Sequence, residues 1–225
     1  MTCKTTERRE DGRRVPKRVD HDERRRQISE ALWRIAATRG LDGASLRDVA
    51  AEAGISLGRL QHYFTSKDEM FVFALDYISG LGEQRIRERV EALPGTPAPR
   101  DILRHCLVEM LPLDDESRAG NLVQVAYFAR AVHDERMRRH AQEGVPALRA
   151  FFAAQVRQAV ERGEVSPERD PDDEAMLLIA LADGLTSFAL LEVYAPAEAL
   201  RLIDRHLAGL FSYNSSPRSS GSKRS

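Results

Sequence analysis

Between Ser45 and Lys67 the chain gathers side chains whose chemistry is recognition rather than reaction. Arg59, Gln61 and His62 bring polar nitrogen and amide groups, Ser45, Ser56 and Tyr63 bring hydroxyls, and Lys67 adds a cation. By bidentate geometry a guanidinium suits the paired acceptors of guanine, and a carboxamide suits the donor and acceptor of adenine. Hydroxyl and ammonium groups suit phosphate oxygens. No reacting set accompanies them: there is no Walker loop, dinucleotide glycine fingerprint, nucleophile elbow or Cys-x-x-Cys. The six histidines, His21, His62, His105, His133, His140 and His206, lack metal-ligand spacing. His133, Asp134 and His140 would form a site only if folding brought them together, and a surface placement is the simpler expectation. No catalytic residue, metal or cofactor is therefore expected, and the chain is read as a non-enzyme.

These groups need a rigid frame. Ser45 and Asp48 form a Ser-x-x-Asp pair able to cap a helix start, and Leu46, Val49, Ala50 and Ala53 then line one face until Gly54. Ile55 reads as a buried hinge, and Ser56 as the cap of a second helix. With Leu60 facing the core, Leu57, Tyr63 and Phe64 fall on its side. Gly58 and His62 point away, flanked by Arg59 and Gln61. A mid-helix glycine costs about 1 kcal/mol relative to alanine, so Gly58 implies a close approach. Either an external surface comes there, or another helix of the same chain crosses.

The run from Ala50 through Met70 resembles the DNA-binding signature of the TetR family of transcriptional regulators. Ser45, Val49, Ala50, Ala53, Gly54, Ile55, Ser56, Gly58, Leu60, Tyr63, Phe64 and Lys67 occupy matching places. The order Leu57, Gly58, Gln61, His62, Tyr63, Phe64 is similar to a BetI-like subgroup. Gln61 departs from the aromatic usual in the family, and Arg59 from a small residue. Both sit on the reading face, where they alter the operator more than the fold. The resemblance implies an all-α protein. It would carry a three-helix helix-turn-helix domain followed by a helical ligand-binding and dimerisation domain. It also implies a homodimer on a double-stranded DNA operator, released as a repressor by a small-molecule effector. Ser45, Ser56, Leu57, Gly58, Arg59, Gln61, His62, Tyr63 and Lys67 become the expected DNA contacts, Lys67 through backbone phosphate.

Charge agrees with that polarity. Over 225 residues the net charge is −1, yet residues 1–67 carry 15 Lys or Arg against 10 Asp or Glu. The end with the helix-turn-helix is the basic one, as a phosphate-binding module requires. Two cysteines, Cys3 and Cys106, make no disulfide framework, and no signal-peptide core opens the chain. The longest apolar run, 175–193, holds Asp183, Gly184, Thr186 and Ser187 at its middle, so a buried helix is expected rather than a membrane span. The expected compartment is the reducing cytoplasm.

The domain reading is 1–20 as a disordered basic arm, 21–67 as the DNA-binding domain, 68–211 as the effector and dimerisation domain, and 212–225 as a disordered tail. Ile28, Ala31, Leu32 and Ile35 mark one apolar helical face, ending at Gly40. Ser66 and Glu69 read as a second capping box opening a connector helix to about Leu93. Further helices are expected at 99–111, 117–132, 134–143, 145–163, 171–193 and 196–211, with Gly144 and Pro146 separating the third and fourth of these. Effector contacts are expected from Cys106, Met110, Gln124, Tyr127, Phe128, Phe151, Phe152, Gln155 and Phe188, where polar groups sit among apolar ones. The family's dimer interface of two long helices maps onto Leu178, Leu185, Leu200, Ile203, Leu207 and Leu210. The competing reading is a helical small-molecule-binding or scaffold protein acting through protein partners without an operator.

Overall fold

The computed structural model describes residues 17–39 and 45–213, and among these it contains nine helices and no strand. They are α1 (Lys17–Arg39), α2 (Leu46–Glu52), α3 (Leu57–Tyr63), α4 (Lys67–Glu91), α5 (Pro99–Glu109), α6 (Asp115–Ala131), α7 (Glu135–Glu161), α8 (Pro171–Leu190) and α9 (Pro196–Leu210). The expected arm falls mostly outside the described residues, as do Cys3 and most of the expected tail. Its last residues are helical, because α1 starts at Lys17. Charged residues such as Lys, Arg and Glu are adequate helix formers, and with no apolar stripe there the periodicity could not reveal them.

Local signals set the ends. Ser45 and Asp48 form the full reciprocal box: the Ser45 amide donates to the Asp48 carboxylate at 2.8 Å and the Asp48 amide to Ser45 Oγ at 3.2 Å. Gly54, at φ +66°, closes α2, with Ile55 N–H donating to Ala50 O and Gly54 N–H to Ala51 O. That pair is the Schellman pattern, and only glycine enters the left-handed region freely there. Ile55 itself is half-buried rather than buried. Ser66 caps α4 through the Glu69 amide at 3.1 Å, but the reciprocal bond goes elsewhere. The Glu69 carboxylate accepts instead from Thr65, N–H at 2.8 Å and Oγ1–H at 2.7 Å, fastening the α3–α4 turn.

Two expected helices are one. α7 runs unbroken through Gly144 and Pro146. Proline removes one donor, which strands the carbonyl of residue 142, but this side of the helix is exposed and water can satisfy it. The helix is held on both sides of the proline, by Met137 in one core and by Phe152, Ala153 and Val156 in another.

The first core joins Ile28, Leu32 and Ile35 of α1 with Val49 of α2, Leu60 of α3, and Met70 and Phe71 of α4. Val123 and Tyr127 of α6 belong to it too. It therefore crosses the expected boundary at residue 67. The second core packs α5, α7, α8 and α9 around Leu103, Leu107, Phe152, Leu178 and Ile203. α4 spans both: Phe71 and Ala74 lie in the first, and Ile86 packs against the second.

Candidate nucleic-acid interface

The reading face is built on a helix of two turns that is held by its apolar side. Leu60 and Phe64 are fully buried and Leu57 and Tyr63 half-buried. Ser56 accepts the Arg59 amide at 3.2 Å and so fixes where α3 begins. What remains outward is Gly58, Arg59, Gln61 and His62, all exposed. A Cβ built on Gly58 would meet nothing within 4 Å, so no helix among the described residues crosses there. Among the described residues, nothing packs over this glycine. The side chains of Arg59 and Gln61 have no partner among the described residues, while His62 stands edge-on to Tyr63 at 5.6 Å. Lys67 lies at the first turn of α4 with its ammonium 5.5 Å from the Phe71 ring. Ser45 and Ser56 are exposed, each also serving as a cap. Arg47, exposed on the first turn of α2, is a further cation of the helix-turn-helix that lies outside the family motif. Its signal was its place directly behind the cap, two residues after Ser45.

Residues 28–72 match the family described as bacterial regulatory proteins, tetR family, and residues 99–212 match the BetI-type transcriptional repressor C-terminal domain. The HTH-type transcriptional regulator PksA of Bacillus subtilis is 34% identical over 180 residues, 79% of this chain and 84% of that protein. The chain belongs to the TetR family. BetI of Burkholderia cenocepacia is 28% identical to this TetR-family regulator over 174 residues, 76% of this chain and 84% of BetI. Among solved structures, a TetR-family regulator from Rhodococcus sp. superposes with a TM-score of 0.72 at 28% identity, covering 84% of this chain and 99% of its own. A regulator from Saccharomonospora viridis, solved in complex with choline, gives 0.71 at 25% identity, covering 86% and 97%. TetR-family regulators bind DNA operators as homodimers and respond to small-molecule effectors, and they are not enzymes. Among the described residues, no helix is long and apolar enough to cross a membrane.

Other expected site residues of this TetR-family chain are sorted by burial. Cys106, Tyr127 and Phe152 are closed core. Burial pushes the Cys106 thiol up to about 11, and the Tyr127 hydroxyl donates to Met137 O at 2.7 Å. Phe128, Phe151 and Phe188 face outward, 36%, 44% and 47% exposed, so they do not wall an interior pocket in one chain. Met110, Gln124 and Gln155 are half-buried, and Gln155 Oε1 is buried without a donor. Leu178, Leu185, Ile203, Leu207 and Leu210 are buried in the subunit's own core, and Leu200 packs against it. The helical period gave the apolar sides of α8 and α9 but not which side meets which neighbour. On α8 the outward side carries Leu177 at 56% exposure, half-buried Leu181 and Gly184, Phe188, and beyond its end Leu191 at 72%. Asp134 caps α7 through the Met137 amide, and His140 faces Asp76 at 3.2 Å, so this trio is not assembled into a metal site. Asp183, half-buried on α8, has no ion-pair partner among the described residues, and burial raises its carboxyl above the ordinary range.

Proposed function

We propose that this TetR-family chain is a homodimeric repressor that holds an operator through α3 and releases it when a small molecule binds. The observation that carries the reading is the outward face of α3, where Gly58 is open and Arg59 and Gln61 stand unengaged among the described residues. In this reading α3 enters the major groove, with Gly58 and Leu57 allowing close approach. Arg59, Gln61 and His62 address base edges. Ser45, Ser56, Tyr63, Lys67 and Arg47 address the backbone.

The stripe of Leu177, Leu181, Gly184, Phe188 and Leu191 supports a partner face on α8. Its spacing keeps one side of the helix apolar, and a Cβ on Gly184 would meet nothing within 4 Å, leaving room for a partner helix. An effector seat is proposed at Met110, Gln124 and Gln155, supported by the unsatisfied amide oxygen of Gln155. The choline-bound relative makes quaternary ammonium compounds the first effectors to screen. The protein works in the cytoplasm, where its operator lies.

The deciding experiment is a salt-controlled anisotropy titration of the full chain with its own upstream intergenic DNA and a scrambled duplex. Preference for the upstream DNA supports the reading. Equal, salt-erased binding to both by a folded dimer overturns it in favour of a scaffold acting through protein partners.

A further inference from the structure

We propose that the cleft between α1, α4 and α7 is a binding site for an organic carboxylate with a compact apolar body. The cleft has a volume of about 550 Å³, within the usual range of small-molecule sites, and it contains none of the effector residues expected from sequence. Its floor is Val72, Phe73 and Met137, and its charged groups come from all three helices.

The chemistry is set by which charges are already engaged. Asp68 is paired with Arg130 at 3.0 Å, and Asp76 faces His140 at 3.2 Å. One oxygen of Glu69 is taken by Thr65, and the other stands 3.9 Å from Arg25, beyond hydrogen-bond reach. Arg139 reaches Glu135 at 3.5 Å, and Glu143 is exposed. Two cations are left with donors to spare. Arg136 has no ion pair among the described residues. Arg25 has its Nε buried without an acceptor, and its guanidinium lies 4.2 Å from the Phe73 centroid and 4.8 Å from that of Phe64. A buried unpaired donor is costly, and a carboxylate is the acceptor a guanidinium fork takes best. The ring of Phe73 and the side chains of Val72 and Met137 would receive the apolar body.

The site would also be coupled to the reading head. Phe64 terminates α3, and Glu69 fastens the turn behind it. A ligand that draws Arg25 off Phe64, or displaces Glu69 from its place between Arg25 and Thr65, acts on the last turn of the recognition helix.

The test is isothermal titration of the full chain, without DNA, with benzoate as probe, benzylamine as the cation of similar shape and inorganic phosphate as the anion lacking an apolar body. Saturable benzoate binding near one per chain is expected, with benzylamine and phosphate at least about tenfold weaker. Arg25→Gln and Arg136→Gln should each weaken benzoate about tenfold, and Arg205→Gln, exposed on α9 away from the cleft, should leave it unchanged. Arg136 is exposed, so its variant decides the matter even if Arg25→Gln does not fold. Absence of saturable benzoate binding overturns the proposal, as do equal binding of benzylamine and indifference to both cleft variants. Because no DNA is present, either result leaves the operator reading standing or falling on its own titration.

Discussion

Arg85 of α4 is clamped to Glu109 of α5, a carboxylate only 12% exposed that also receives Arg89 at 3.2 Å. Arg85 reaches Glu116 on α6 as well, at 2.9 Å, so three helices meet on one guanidinium. Glu109 lies close against α4 here, since a Cβ on Gly82 would stand 3.4 Å from Glu109 Cγ, in van der Waals contact. The clamp fixes the body end of the connector helix. Glu109→Ala leaves two arginines without their shared acceptor and should lower stability by roughly 1–3 kcal/mol, read from urea unfolding. An unchanged midpoint would mean that the apolar contacts of α4 hold it alone.

Gly58→Ala separates folding from reading. The position is helical, without positive φ, and open around its would-be Cβ, so alanine should stabilise the free protein by about 0.5–1 kcal/mol. Gly58→Leu should fold normally yet weaken operator binding, because its bulk stands where the duplex must come. Thermal melting and anisotropy measured together distinguish these effects, and undiminished affinity for Gly58→Leu would remove α3 from the groove.

Arg59→Ala should lose roughly 1–3 kcal/mol at one base position and relax selectivity there. Lys67→Ala should weaken all duplexes alike and reduce the salt slope by about 1. Titrations against an operator and its single-base variants measure both. A uniform loss for Arg59→Ala would make it another phosphate contact.

Leu177→Glu should convert the dimer to monomer with the fold intact, since this side chain is 56% exposed in one chain. Ile203→Glu should instead unfold the subunit, because Ile203 is fully buried. Sedimentation and circular dichroism distinguish dissociation from unfolding, and a dimeric Leu177→Glu variant would move the interface off this side of α8.

Asp183 predicts a pH dependence of the opposite sign to an ordinary paired carboxylate. Burial raises its folded pKa, so the folded state favours the protonated form. Its penalty is absent below the unfolded pKa, grows as pH rises between the unfolded and folded values, and is full above the latter. Asp183→Asn should therefore raise the melting temperature at pH 7, with the gain shrinking as pH falls. Glu69 runs the other way. The Thr65 N–H and hydroxyl hold its pKa down, so its stabilisation is present above the unfolded value and fades as pH falls through the folded one. A melting temperature for Asp183→Asn that is lower at pH 7 would mean that the charged carboxylate is bound by something in the dimer.

The caps, the turn glycine and the apolar stripes were legible in the sequence because each acts over a few residues. Ser45 with Asp48, Ser56 and Gly54 satisfy backbone groups or set φ within one turn of themselves. The helix-turn-helix and its outward residues followed from these. Three other features depended on partners distant in the chain. α7 stays whole through Pro146 because two separate cores hold it, Leu178 and Ile203 turned inward because α5 and α7 cover them, and Arg25 came to rest on Phe64 and Phe73 across the turn of three helices. Periodicity states that a face must be buried, but it carries no address for what buries it. The reading head was thus determined by local chemistry, while the free side of α8 and the cleft at α7 were decided only when the helices packed.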